Sequence, residues 1–336
     1  MLPNSGDMST RIDAFSHVFT REVEEAFLEL DPAHGKHKPD LLYAENVEER
    51  IDHLDRLGVD EQVITMTGQR IWPNVDPADG LEATRLANDE VRRYADQYPD
   101  RFTPVGTVPF LTDEYVEEFE RCVDDLDLAG VQIFTNVGDR PLDDESFYPF
   151  YEAVDDAGVP IWIHPLDSAW YPDNEADDYW LYSMMAWPFD SSLAIGRLVF
   201  GGVLDRFENI EIVTHHLGGV LPYLEERMRS WVETRQEYGD AYTGAENIRA
   251  LSEPIDSYLD RVYADTAISS RGLTHTLESG LEFFGEDNVL FGADVPYGPG
   301  GGIKWLETTI PTIEEWDVPD RTKRKIFSEN VESLLA

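Results

Sequence analysis

The sequence predicts an α/β protein folded as a single (β/α)8 barrel, the TIM barrel, with long loops at its carboxyl face. Short apolar runs rich in Val, Ile, Phe and Thr alternate with longer amphipathic runs along the chain. Eight such strands, each followed by a helix, is the count that closes a barrel. No glycine-rich phosphate loop follows a strand, which disfavours a doubly wound sheet. Since no linker divides the chain, we predict one domain over residues 1–336.

The predicted strands are bounded by Gly, Pro, Asp or Asn. They cover residues 11–19, 62–67, 103–110, 130–136, 160–166, 211–216, 261–267 and 289–296. Helical periodicity predicts helices over residues 47–57, 81–98, 113–126, 146–157, 191–207 and 220–231. Loops over residues 20–46, 167–190 and 297–303 follow the first, fifth and eighth strands. These loops should therefore emerge at the carboxyl face, where barrel active sites lie.

Acidic residues dominate the composition. Asp and Glu number 68 against 26 Lys and Arg, which gives a formal net charge of −42. The acids are spread along the chain, and Lys is scarce among the basic residues, which disfavours an ordinary acidic protein. Such a surface repels itself until the Debye length falls to about 3 Å near 1 M salt. We interpret this as adaptation to a salt-rich cytoplasm, and it excludes nucleic acid and anionic membranes as partners.

The compartment and the assembly are expectations from equally simple features. Cys122 is the only cysteine, so no intrachain disulfide forms, which is typical of a reducing compartment. The first residues, MLPNSGDMSTR, contain no apolar stretch of signal-peptide length, and no run is long enough to span a membrane. We expect a cytoplasmic protein with a small-molecule substrate. We also expect a homo-oligomer, a dimer.

Histidines fall into two groups. Four of them lie in a loop or in helices, have no suggestive spacing and are interpreted as surface residues: His34, His37, His53 and His275. The others stand at the ends of predicted strands one, five and six, and strand eight ends in a carboxylate; this second group comprises His17, His164, His215, His216 and Asp294. Because the carboxyl ends of barrel strands meet at one mouth, these side chains should converge. Imidazole and carboxylate together suit zinc and related divalent ions.

Longer stretches carry a family resemblance. They are IDAFSH, PDRFTPVGTVPF, AGVQIFTN, PLDDESFYPFYEAVDDAGVPIWIHP, DRFENIEIVTHHLGGVLPYLEER, NVLFGADVPYG and IFSENVESLL. With them the chain resembles the amidohydrolase superfamily, in the amidohydrolase-related branch of aminocarboxymuconate-semialdehyde decarboxylase and the aromatic-acid decarboxylases. It looks like a haloarchaeal-type acidic member. The most specific matches are the HxGG–P pattern after strand six and the Asp–x–Pro pattern at strand eight.

The resemblance implies roles for individual residues. His17 corresponds to the second His of the family's HxH metal motif, His164 to the strand-five ligand, and Asp294 to the strand-eight ligand and a proton carrier. His216 corresponds to the histidine that moves protons beside the metal. One divalent ion is implied, zinc or alternatively manganese. Phe15 stands where the first His of HxH is expected, on the same strand face as His17.

The remaining candidates are two adjacent histidines, one aromatic residue and two arginines. Adjacent residues of a regular strand face opposite ways, so only one of His215 and His216 should point into the mouth. We favour His216 there with His215 packed away; the alternative exchanges the two. Trp187 belongs to an aromatic loop that could stack on a planar acid, or instead pack on itself or at a subunit interface. Arg70 and Arg271 could pair with a substrate carboxylate.

The same constellation serves two reactions. In a decarboxylation the metal would fix the substrate carboxylate or phenolate while Asp294 or His216 moves a proton. In a hydrolysis of a lactone, ester or amide, metal-bound hydroxide would attack while His216 assists. We favour a decarboxylase acting on a small aromatic or unsaturated carboxylic acid, with a hydrolase as the alternative. A non-catalytic binding barrel is the second alternative, because Phe15 replaces a metal ligand.

Overall fold

The computed structural model describes residues 10–33, 46–68, 71–138, 140–166, 180–238, 248, 250–269 and 272–336. The barrel strands are β1 (Ile12–Val18), β2 (Glu61–Met66), β3 (Phe102–Pro104), β4 (Gly106–Thr107), β5 (Val131–Phe134), β8 (Ile161–His164), β9 (Ile212–Thr214), β10 (Val262–Asp265) and β11 (Val289–Leu290). A small antiparallel pair, β6 (Asn136–Val137) and β7 (Arg140–Pro141), follows β5.

The barrel strands pair in parallel in two runs, β1–β2–β3 and β4–β5–β8–β9–β10–β11. The first joint lies between β3 and β4, which are consecutive in the chain and separated only by Val105. The Val105 amide donates to the Ile64 carbonyl in β2, and the Gly106 amide donates to the Gly130 carbonyl before β5. The two strands therefore act as one barrel strand with a break in its middle.

The second joint lies between β1 and the segment that follows β11. The Ala14 amide donates to the Phe291 carbonyl, and the Asp294 amide donates to the Phe15 carbonyl, at 2.8 and 3.1 Å. These bonds connect the first and last strands and close the sheet. The closed (β/α)8 barrel predicted from the sequence is confirmed.

Helices surround the barrel. They are α1 (Arg21–Leu30), α2 (Val47–Leu57), α3 (Pro77–Ala95), α4 (Asp113–Asp124), α5 (Tyr148–Ala157), α6 (Trp187–Phe200), α7 (Val203–Arg206), α8 (Leu221–Tyr238), α9 (Ile255–Leu259), α10 (Thr274–Phe284), α11 (Ile303–Glu315), α12 (Asp320–Arg324) and α13 (Asn330–Leu334). In the described ranges, none of these helices is both long and apolar enough to cross a membrane.

Three predicted segments differ from the structure. The predicted helix over 191–207 is divided into α6 and α7 by a turn at Gly201 and Gly202. The predicted loop over 20–46 contains α1, because Thr20 caps its first turn and Val23 is buried. The end of the predicted loop over 167–190 is helical, because a π-helical turn over Tyr182–Ala186 leads directly into α6.

Apolar side chains fill the barrel interior below the mouth. Phe15, Val63, Val105, Trp162 and Val213 belong to one cluster of this interior. A larger apolar cluster lies between the strands and the surrounding helices. The polar side chains of the strand ends are therefore supported from below by a packed core.

Candidate metal centre

The predicted strand-end residues meet at the carboxyl mouth of the barrel. Asp294 lies at their centre: its Oδ1 is 3.2 Å from His17 Nε2 and 3.4 Å from His215 Nε2, and its Oδ2 is 3.8 Å from His216 Nε2. Ring nitrogens of His17, His164 and His215 also lie within 4.8 Å of one another. The structure thus brings together residues from strands one, five, six and eight, as the sequence predicts.

Hydrogen bonds at Nδ1 fix the orientation of the imidazoles. The Nδ1–H of His164 donates to the Pro165 carbonyl at 2.6 Å, and the Nδ1–H of His215 donates to Asp265 Oδ2 at 2.6 Å. A carbonyl and a carboxylate only accept, so these contacts assign the proton to Nδ1. The Nε2 lone pair then becomes available to a ligand, which is the usual arrangement of metal-binding histidines.

Several Nε2 atoms have no partner. His17 Nδ1 lies 2.7 Å from Thr65 Oγ1, but its Nε2 is buried without a hydrogen bond, and so are the Nε2 atoms of His215 and His216. A buried polar atom left unsatisfied costs roughly 1–3 kcal/mol. Three such atoms aimed at one carboxylate fit a divalent ion, because imidazole nitrogen and carboxylate oxygen are zinc and manganese ligands.

The electrostatics also suit a metal. Burial opposes ionisation of Asp294, but the nearby imidazoles of His17, His215 and His216 outweigh it and hold the pKa of Asp294 well below its usual range. Burial lowers the pKa values of His17 and His216, and it lowers that of His164 furthest. An ionised carboxylate beside neutral imidazoles is the protonation state in which these groups bind a cation.

His215 has a different protonation preference. Burial disfavours its charged form, but the attraction of Asp265 and Asp294 outweighs this effect and raises its pKa to about 10. Without a divalent ion, His215 therefore carries a second proton, on Nε2, and its positive charge balances the two neighbouring carboxylates; binding of an ion at Nε2 would displace that proton. A divalent ion at the mouth would take over that balancing role.

Both His215 and His216 face the mouth, so the expectation that His215 packs elsewhere is wrong. Strand β9 ends at Thr214, before either histidine, so the alternation of a regular strand no longer applies. His216 and Leu217 then adopt left-handed conformations, with φ angles of 56° and 55°. This turn stacks the two imidazole rings with centroids 3.8 Å apart.

Backbone strain is concentrated at this mouth. Asp294 has a φ of 58°, and a left-handed non-glycine residue costs about 1–3 kcal/mol. The HLGG turn needs its last glycine, since Gly219 has a φ of 68° and an added Cβ would lie 2.0 Å from the Pro188 carbonyl oxygen. Strain that is retained by the surrounding packing is typical of functional sites.

Phe15 lies where the sequence predicts, on the same face as His17. It is fully buried, and its ring centroid lies 4.1 Å from that of His215, 5.4 Å from that of His17 and 6.2 Å from that of His164. Phe15 therefore forms an apolar wall of the cluster and offers no ligand to a cation.

Aromatic side chains border the cluster. Trp187 is half-buried, and its ring lies 5.9 Å from that of His164. Tyr297, which the sequence reasoning missed, lies 5.7 Å from the His17 ring and donates its hydroxyl hydrogen to Thr67 Oγ1 at 3.1 Å. Its position three residues after Asp294, on the strand-eight loop, was the signal that could have identified it.

Other candidates lie elsewhere. His53 is on α2 and His275 on α10, and neither belongs to the cluster. The remaining candidates fall outside the described residues: Arg70, Arg271, His34 and His37, together with the loop aromatics Trp170, Tyr171 and Tyr179. Asp265, which sequence reasoning also missed, is fully buried against His215.

Comparisons with known proteins show the family to which the chain belongs. A family model described as amidohydrolase matches residues 42–335. The chain is 28% identical to 2-amino-3-carboxymuconate-6-semialdehyde decarboxylase of Dictyostelium discoideum, over 85% of this chain and 75% of that protein. It is 26% identical to 6-methylsalicylic acid decarboxylase of Penicillium expansum, over 95% of this chain and 94% of that protein.

A solved structure has the same fold. It is 5-carboxyvanillate decarboxylase of Novosphingobium aromaticivorans, with bound manganese and 3-methoxy-4-hydroxy-5-nitrobenzoic acid. The TM-score is 0.81 at 23% identity, and the alignment covers 97% of each chain.

Proposed function

The chain belongs to the amidohydrolase family, and from that premise we propose that it is a metal-dependent decarboxylase of a small aromatic carboxylic acid. The observation that carries the proposal is the set of unpartnered Nε2 atoms that surround the Asp294 carboxylate at the barrel mouth. The relatives named as decarboxylases of aromatic or unsaturated acids support the choice of reaction.

We assign His17, His164 and Asp294 to one divalent ion. Zinc suits this set, and manganese suits it equally because it tolerates mixed nitrogen and oxygen ligands. The related structure with bound manganese supports that second choice. When bound, the ion would draw the substrate carboxylate or phenolate into the mouth and stabilise the negative charge that develops during the reaction.

His216 is our candidate for proton transfer. Loss of CO2 leaves an electron pair on the ring carbon, and a proton must reach that carbon to complete the product. The His216 side chain is 10% exposed, whereas those of His17 and His215 are fully buried. His216 is therefore the imidazole of this group that can reach a substrate above the cluster, with Asp294 as the neighbouring proton acceptor.

The aromatic side chains that border the cluster would orient the substrate. The Trp187 ring lies beside His164 and the Tyr297 ring beside His17, and a planar acid could stack against these rings. We keep Arg70 as a proposed partner of the substrate carboxylate, since a strongly negative protein needs local positive charge to bind an anion.

The surroundings in which the protein works are also part of the proposal. We propose that residues 1–336 form one domain adapted to a salt-rich, haloarchaeal-type cytoplasm, and the net charge of −42 supports this. Thermal unfolding measured from low salt to molar KCl tests it, and a melting temperature that does not rise would contradict it.

We also propose that the protein is a homodimer. The exposed apolar side chains of Leu193 on α6 and Trp231 on α8 support this proposal.

The deciding experiment measures CO2. The protein is purified in high salt, loaded with Mn²⁺ or Zn²⁺, and offered a panel of hydroxybenzoic and unsaturated dicarboxylic acids. Release of CO2 with formation of the decarboxylated product supports the proposal. Turnover of esters or lactones without CO2 would instead assign a hydrolase, and metal binding with no turnover of any compound would favour a binding barrel.

A further inference from the structure

Phe15 leaves the ligand set one imidazole short of the HxH pattern. The position that Phe15 occupies is on β1, two residues before His17. The imidazole closest to that position is His215, whose ring centroid lies 4.1 Å from that of Phe15 with 37° between the planes. A histidine at position 15 and His215 would therefore offer nitrogen to the same part of the mouth.

The distances of His215 are those of a ligand. Two atoms bound to one ion at about 2.0–2.2 Å lie roughly 3.0–3.6 Å apart. His215 Nε2 lies 3.4 Å from Asp294 Oδ1, nearly the same as the 3.2 Å between His17 Nε2 and that oxygen. Among the described residues, two groups of possible ligand atoms lie within 4.8 Å of one another: one is His17, His164 and His215, and the other is His215, His216 and Asp294. His215 belongs to both groups.

A second residue holds His215 in this orientation. Asp265, at the end of β10, is fully buried, accepts the Nδ1–H of His215 through Oδ2, and accepts the Ala267 amide through Oδ1 at 2.8 Å. The room for Asp265 comes from Gly292, where an added Cβ would lie 2.7 Å from the Asp265 Cβ. Metal-binding histidines commonly donate their other ring N–H to a carboxylate, which fixes the orientation of the imidazole. The Nε2 of His215 is buried and has no partner.

We propose that His215 binds the divalent ion in place of the imidazole that Phe15 lacks. The inference rests on the proposed function, because it requires a metal at the mouth. The ligands are then His17, His164, His215 and Asp294. His216 stays outside this set and remains available for proton transfer.

The test replaces the ligand atom and keeps the supporting hydrogen bond. In His215→Asn, the side-chain amide can donate to Asp265 as Nδ1 does, but the Nε2 ligand is gone. Isothermal titration with Mn²⁺ alone should show affinity weakened by about 100-fold or more, since even the loss of an outer partner of a ligand costs about 10–100-fold. His216→Asn is the matched control, and its Mn²⁺ affinity should stay within about threefold of wild type.

A second variant tests the exchange of positions. The double variant Phe15→His, His215→Asn returns an imidazole to β1, and it should recover at least about tenfold of the lost Mn²⁺ affinity. With Co²⁺ in place of Mn²⁺, the visible spectrum should change in His215→Asn and move back towards wild type in the double variant. Circular dichroism melting checks that each variant is folded.

A measurement on unmodified protein covers the case in which His215→Asn fails to fold. Electron spin-echo modulation of bound Mn²⁺ counts coordinated imidazoles, and His215 ligation predicts one more than His17 and His164 supply. Wild-type affinity in His215→Asn, or only two coordinated imidazoles, would overturn the inference and leave the proposed function intact. If wild type binds none of Mn²⁺, Zn²⁺ or Co²⁺, the proposed function and this inference both fail.

Discussion

Two buried polar clusters lie on the barrel strands, and they differ in how their hydrogen bonds are satisfied. In the first, Asp13 accepts from Ser16 Oγ at 2.6 Å, from Gln62 Nε2 at 2.7 Å and from the Ala293 amide at 2.9 Å. Gln62 accepts in turn from Arg50 Nε at 2.7 Å. Both oxygens of the buried Asp13 carboxylate are thus occupied by groups of the protein itself.

In the second cluster, at the mouth, several polar atoms have no hydrogen-bond partner. His17, His164 and His215 have partners at Nδ1. The Nε2 atoms of His17, His215 and His216, which face Asp294, have no hydrogen-bond partner. A buried carboxylate whose hydrogen bonds are already satisfied stabilises the fold, whereas buried imidazole nitrogens without partners remain available to a ligand. Substitutions in the mouth should therefore reduce activity more than stability, and substitutions around Asp13 should do the reverse.

The largest effect should come from Asp294→Asn. The variant loses the anionic ligand that the histidines surround, so kcat should fall by on the order of 10⁴-fold or more, with metal content lost in parallel. Elemental analysis of dialysed protein and CO2 release measure the two effects. The melting temperature of metal-free protein should change little. A variant that keeps both metal and activity would show that Asp294 is not a ligand.

His216→Asn should have the next largest effect. General acid–base catalysis typically contributes about 10²–10⁴-fold, so kcat should fall by that factor while metal content and fold survive. Steady-state kinetics under high salt measure it, with metal content as the control. Full activity in this variant would remove His216 from proton transfer and leave Asp294 as the candidate proton carrier.

Asp13→Ala should affect stability. Ser16 Oγ and the Ala293 amide lose their acceptor, and Gln62 Nε2 keeps only its contact with Ser16 Oγ. At roughly 1–3 kcal/mol for an unsatisfied buried group, the total loss should reach about 3 kcal/mol. Urea unfolding of the metal-free protein gives this value. Asp13→Asn, which keeps an acceptor oxygen, should lose less. If Asp13→Ala unfolds like wild type but loses activity, the two clusters have been assigned the wrong roles.

The smallest effect concerns pH. Burial raises the pKa of Asp13 to about 6, although hydrogen bonds from Ser16 and Gln62 oppose the rise. A raised carboxyl pKa favours folding below the unfolded pKa near 4, and that contribution is lost as pH rises through about 6. Relative to Asp13→Asn, wild type should therefore lose about 1–3 kcal/mol of stability between pH 4 and 7.

Denaturant midpoints of the two proteins across this pH range provide the measurement. The comparison with Asp13→Asn removes the background of the many surface carboxylates, which both proteins share. A constant difference between the two would mean that Asp13 titrates as an ordinary carboxyl group.

The sequence predicted the fold and the meeting of distant residues because both follow from periodicity and strand direction. Residues at the ends of parallel strands must share one face of a barrel, so His17, His164 and Asp294 could be brought together without coordinates. The break between β3 and β4, and the turn between α6 and α7, interrupt elements that were predicted whole, because pattern reasoning sets boundaries poorly.

The part that could not be predicted depends on where a strand ends. The alternation of side chains along a regular strand predicted that His215 points away from the mouth. In the structure His215 faces the mouth, because β9 ends at Thr214 and His216 adopts a left-handed conformation. The role of Asp265 was missed for a related reason. Its contact with His215 joins positions 50 residues apart on neighbouring strands, and no short motif encodes it.

The joint between β1 and the end of the barrel has a consequence for assembly. The Ala293 amide donates to Asp13 Oδ1, a contact between positions 280 residues apart. The next residue, Asp294, contacts His17 through its carboxylate. The mouth is therefore complete only when the last strand pairs with the first. An ion bound by both Asp294 and His17 would connect the last strand to the first. At a free metal concentration [M], it would add RT ln(1 + [M]/Kd) to the free energy of unfolding. Metal supply would then govern how long the closed barrel persists as well as how fast it turns over substrate.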